Sequence, residues 1–161
     1  MRVFCFFVFL ILGLFQFESG AWAQSQDLSF HVGTLLPTGI SGITETQPMY
    51  GFRYALPLSF ASLETGYANT HAKGVDFDDV SIDLRAETAF LPNFVNLFYG
   101  GLDLNYYKPD MTTAHYFKVG VNFGTALMMQ AFERVWLRGD VKYSLQPGGT
   151  LYIGVGLLYR L

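Results

Sequence analysis

The chain has 161 residues, 17% of them aromatic and 14% charged, with a formal net charge of −3. That small charge, with no basic run, argues against a nucleic-acid partner, and the single cysteine, Cys5, excludes a disulfide framework. Half the residues are hydrophobic, yet no helix-length apolar stretch follows the first residues, which points to membrane-crossing strands that hide half their side chains from lipid.

In chain order, Met1-Arg2 supplies a short positive region, Val3 to Phe17 is almost wholly apolar, and Ala21-Trp22-Ala23 fits a small-x-small cleavage site. The apolar run is shorter than the ~18 to 20 residues of a spanning helix, so residues 1–23 are predicted to be a cleaved Sec signal peptide. Cys5 lies far from the cleavage site, which removes a lipoprotein anchor. Residues 24–161 then form one domain.

Eight segments of that domain alternate apolar and polar residues: Asp27 to Leu36, Met49 to Leu56, Ala61 to Asn69, Asp79 to Phe90, Leu97 to Tyr107, His115 to Thr125, Val135 to Leu145 and Thr150 to Leu161. Each is near the 9 to 11 residues that cross a bilayer at a tilt, and Pro, Gly, Asn or Asp marks most junctions. The predicted fold is all-β: an eight-stranded antiparallel up-and-down transmembrane β-barrel. An even strand number puts both termini on one side, expected to be the periplasm, and closure pairs the last strand with the first.

Sorting the faces separates the charges. One face carries Phe30, Val32, Phe52, Ile82, Leu84, Val119, Val121 and Phe123 and no charged residue. The other carries Arg53, Glu64, Asp83, Arg85, Glu87, Asp103, Lys118, Arg138, Asp140 and Lys142. Lipid produces this segregation, because Arg or Lys facing the midplane costs about 2 to 4 kcal/mol. A soluble periplasmic barrel would bury the apolar face instead. Against it, the polar face is rich in glycine (Gly33, Gly51, Gly66, Gly101, Gly120, Gly124, Gly154, Gly156), as a narrow lumen requires, and tyrosines such as Tyr50, Tyr106 and Tyr159 stud the apolar face near strand ends.

With its export signal, eight alternating segments and the ending Gly156-Leu157-Leu158-Tyr159-Arg160-Leu161, the chain resembles the small eight-stranded outer-membrane proteins of the OmpA transmembrane-domain and OmpX type. The resemblance implies a Gram-negative cell outer membrane location and a terminal strand read by the barrel-assembly machinery, with Gly156, Tyr159 and Leu161 at the positions of that signal. Leu161 replaces the usual terminal Phe. The partners implied are the lipid bilayer, lipopolysaccharide and that machinery, with the protein a monomer.

A tight turn at Pro57 to Ser59, a loop centred near Lys73 and a turn near Met129 predict Arg53 opposite Glu64, Glu64 opposite Asp83 with Arg85 on the diagonal, and Lys118 opposite Lys142. The inward set then reads five cations against five carboxylates, a balance that suits packing rather than an ion-selective constriction. Gly154 and Gly156 are expected to leave room for Arg138 and Asp140, and Tyr99 and Trp136 to occlude the lumen. No cofactor or metal site is predicted: Asp76-Phe77-Asp78-Asp79 lacks calcium-loop spacing and reads as a solvated loop. His71, Asp76 and His115 fall near the outer rim, where lipid A acyltransferases and deacylases keep their machinery, but no serine accompanies them. The leading expectation is a structural or surface-interaction barrel without catalysis; a lipid A-modifying enzyme and a narrow or gated pore are the alternatives.

Overall fold

The computed structural model describes residues 26–40, 43–72, 74–109, 113–145 and 148–161. The predicted signal peptide, Lys73 and Asp110 lie outside the described residues. Eight strands follow in order: β1 Asp27–Pro37, β2 Gln47–Pro57, β3 Ser62–Ala72, β4 Val75–Leu91, β5 Phe94–Lys108, β6 Tyr116–Gln130, β7 Val135–Ser144 and β8 Thr150–Arg160. All neighbours are antiparallel, and β8 returns to β1 to close the barrel. The chain ends meet at one rim, where Leu161 N donates to Gln26 O at 2.8 Å. This is called the terminal rim below, and the opposite one the distal rim.

The registers fix the barrel's geometry. Stepping across successive ladders from Asp27 leads through Ala55, Glu64, Asp83, Gly101, Asn122, Ser144 and Thr150 back to β1 at Pro37, ten residues from the start. With about 3.3 Å per residue and about 4.8 Å between strands, this stagger tilts the strands by about 40° and gives a backbone radius of about 8 Å. An interior of that size is filled by side chains.

Every strand obeys one alternation. Outward positions carry exposed apolar residues such as Phe30 (61%), Phe117 (62%) and Val155 (65%), while inward positions carry charges such as Glu64 and Arg85, each 1% exposed. The apolar face is therefore the outside, the inverse of a soluble barrel. On the outer face of β3 and β4 the apolar belt gives way near the distal rim to Asn69, His71, Asp76 and Asp78.

Several segments run longer than their sequence pattern. Thr70 to Ala72 and Val75 to Asp78, expected as parts of a loop, are strand: His71 pairs with Asp76, and the hairpin turns at Gly74, whose φ of 78° favours glycine. The β6–β7 turn occupies residues 131–134 rather than the neighbourhood of Met129, with Ala131 N donating to Val135 O at 2.9 Å. As a result Lys142 faces Gly124, six positions from the expected partner Lys118. The β2–β3 turn closes one residue late, through Leu58 N to Ala61 O at 2.7 Å, which puts Arg53 opposite Gly66 and leaves Glu64 opposite Ala55. A shift of two keeps the same face, so both still point inward. Glu64 lies opposite Asp83 and Arg85 opposite Ser62, as the third turn requires.

Candidate functional site: the lumen

The lumen is layered. At its centre Glu64 accepts from three arginines on three strands: Arg53 Nη1 at 3.3 Å, Arg85 Nη1 at 2.8 Å, and Arg138 Nη1 and Nη2 at 2.8 and 3.0 Å. Asp140 accepts from Arg53 Nη1 at 2.8 Å and from Arg138 Nε at 2.9 Å, while the Tyr99 hydroxyl donates to it at 3.1 Å. The Tyr99 ring also lies 5.2 Å from the Arg53 guanidinium and 5.6 Å from that of Arg138. Four partners from four strands on one carboxylate pair is the arrangement in which buried charge is tolerated.

Toward the terminal rim Arg85 also pairs with Asp27 and with Glu87 Oε1 at 2.6 Å. Arg160 reaches Glu87 Oε2 at 2.9 Å and covers the Trp136 ring at 4.6 Å. Toward the distal rim Lys142 Nζ bridges Asp79 and Asp103 at 2.7 Å each, Asn122 Nδ2 donates to Asp83 at 2.8 Å and Asp103 at 2.7 Å, and the Ser144 hydroxyl donates to Asp103.

Sequence reasoning placed ten residues here, and one stands outside. Lys118 is exposed: β7 ends at Ser144 and Leu145 N bonds Val121 O, so among the described residues the β7 ladder stops three positions short of it. Three residues it missed, Asp27, Asp79 and Arg160, join the network. Their signal was parity: each lies an even number of positions from a residue already assigned inward on its strand. The five-against-five balance is corrected accordingly. Among the described residues five inward cations (Arg53, Arg85, Arg138, Lys142, Arg160) meet seven carboxylates (Asp27, Glu64, Asp79, Asp83, Glu87, Asp103, Asp140). Neutral donors from Asn122, Ser144 and Tyr99 serve the surplus acids.

Apolar layers close both ends. Leu97, Ala126, Met128, Trp136 and Leu158 fill the terminal side. Leu35, Met49, Val75, Phe77, Tyr107 and Tyr152 fill the distal side, joined by Ile40 and Ile43 from between β1 and β2. Tyr152 and His31 also explain the inner glycines of β8. A Cβ on Gly154 would collide with the Tyr152 hydroxyl and one on Gly156 with the Phe30 carbonyl and His31, so these glycines clear their own wall rather than Arg138 and Asp140.

On the outer surface His71 Nδ1 and Asp76 Oδ1 lie 3.0 Å apart. His115 instead stacks on Tyr106 at 5.3 Å. Among the described residues no group of three His, Cys, Asp or Glu side chains is placed to hold a metal ion.

An eight-stranded barrel with an apolar exterior and a charged, filled lumen has the fold of the small outer-membrane β-barrels. Solved structures bear this out. Neisserial surface protein A matches at 11% identity with a TM-score of 0.66, over 86% of this chain and 98% of that one. The N-terminal barrel domain of Pseudomonas aeruginosa OprF matches at 16% and 0.63, over 84% and 98%. Ail, the attachment invasion locus protein of Yersinia pestis, matches at 12% and 0.54, over 84% and 97%. No protein-family model matches the chain, and no curated protein sequence matches it either.

Proposed function

We propose that the protein is a monomeric integral component of a Gram-negative outer membrane, exported by the segment Met1 to Ala23, with both termini in the periplasm and the terminal strand carrying the assembly signal at Gly156, Tyr159 and Leu161. Its lumen is a structural core, and its role is structural or one of surface interaction, without catalysis. The observation that carries this is the layering of the interior: a cross-braced ion network held between two apolar plugs leaves the wall and the distal rim as the parts that meet other molecules. The fold shared with Ail, an attachment protein by name, supports a surface role. Among the described residues the distal rim carries Glu45, Asp76 and Asp78 beside Lys108 and Lys118, so it offers no basic face for a polyanion.

The enzyme alternative would need a nucleophile beside the His71–Asp76 pair, and the serines of β1, β3, β4 and β7 (Ser29, Ser62, Ser81, Ser144) are buried in the lumen instead. The test is two-fold. Detergent-refolded protein run unheated should migrate apart from the heated band, and lipid A mass spectra should be unchanged on overexpression. A soluble, detergent-free protein with no mobility shift would defeat the membrane assignment, and a new lipid A mass would defeat the non-catalytic one.

A further inference from the structure

Between the central arginine cluster and the distal plug lies a cavity of about 20 Å³, bounded among others by His31, Arg53, Asp79, Lys142 and Tyr152. Three of these residues come from different strands (β1, β4 and β8) and all are buried: His31 is 5%, Asp79 8% and Tyr152 5% exposed. Each also keeps one polar atom without a protein partner: His31 Nδ1, Asp79 Oδ1 and the Tyr152 hydroxyl. The His31 and Tyr152 rings meet edge to face at 5.6 Å, which brings β1 and β8 to the same side of the cavity, while Asp79 approaches from β4.

Buried polar groups are seldom left unpaired, and a cavity of this size takes one water molecule with two to four polar partners. We propose that the cavity is a binding site for a single structural water, which accepts from the Tyr152 hydroxyl, donates to Asp79 Oδ1 and bonds His31 Nδ1. Lining charge selects a neutral guest. Arg53 and Lys142 oppose a cation, and the open oxygen of Asp79 opposes an anion. The water ties the β8–β1 wall to β4 across the lumen, at a level where side chains alone do not complete the polar network.

This inference rests on the reading of the lumen as closed, and a high-resolution crystal structure of the refolded protein, with and without a bromide soak, separates the two. The expected result is one isolated density peak within hydrogen-bonding distance of His31 Nδ1, the Tyr152 hydroxyl and Asp79 Oδ1, with no anomalous bromide signal. In solution, water cross-relaxation to the His31 and Tyr152 ring protons should report the same long-lived molecule, and Tyr152→Phe should weaken it. No peak, or an anomalous bromide peak, overturns the water site and leaves the closed lumen standing. A file of peaks reaching either rim overturns both.

Discussion

Glu64 and Asp79 are both buried carboxylates on the inner wall, one on β3 and one on β4, yet they are held very differently. Glu64 uses both oxygens on three guanidinium groups from three other strands. Asp79 accepts from Lys142 at 2.7 Å through one oxygen, and its other oxygen faces a cavity. Planar arginines can brace a carboxylate from several directions, whereas one flexible lysine shared with Asp103 cannot. Ion pairing is denser at the centre of the barrel than toward the distal plug.

Breaking the centre should therefore cost most. Glu64→Ala leaves three buried guanidinium groups without their shared anion and is expected to lower the unfolding free energy by about 3 to 5 kcal/mol, read by urea unfolding in phospholipid vesicles. Val155→Arg, which puts a charge on the outer belt instead of the lumen, should cost about 3 kcal/mol in vesicles. Lys142→Met should cost less than Glu64→Ala, about 2 kcal/mol, because Asp103 keeps Asn122 and Ser144 and Asp79 borders the cavity. A Lys142 effect equal to that of Glu64 would erase the contrast between the layers. Lys118→Met, on the uncovered rim of β6, should change stability by no more than about 0.5 kcal/mol.

Which parts of this were legible in the sequence follows from what sets each one. Face assignment depends only on a period of two, so Arg53, Glu64, Asp83, Arg85, Glu87, Asp103, Arg138, Asp140 and Lys142 were placed on the inner face without knowing any register. Register depends on where each turn closes, and a turn at residues 131–134 instead of near Met129 was enough to separate Lys118 from Lys142. Strand length was hidden for two reasons: β4 extends past its apolar residues into the polar arm that holds Asp76 and Asp78, while β5 and β6 extend through Phe94-Val95 and Ala126 to Met129, where both faces are apolar and no alternation shows. The apolar plugs were only partly visible. Tyr99 and Trp136 have inward parity, but Ile40 and Ile43 belong to a loop, where no periodicity says that a side chain turns in.

The central claim is that this lumen is a core and not a conduit, and planar-bilayer recording on the refolded chain tests it most directly. With two apolar layers enclosing the ion network, the expected trace is that of the bare bilayer at all applied voltages and salt concentrations. Reproducible ohmic steps from folded protein, absent from the heat-denatured control, would contradict the account.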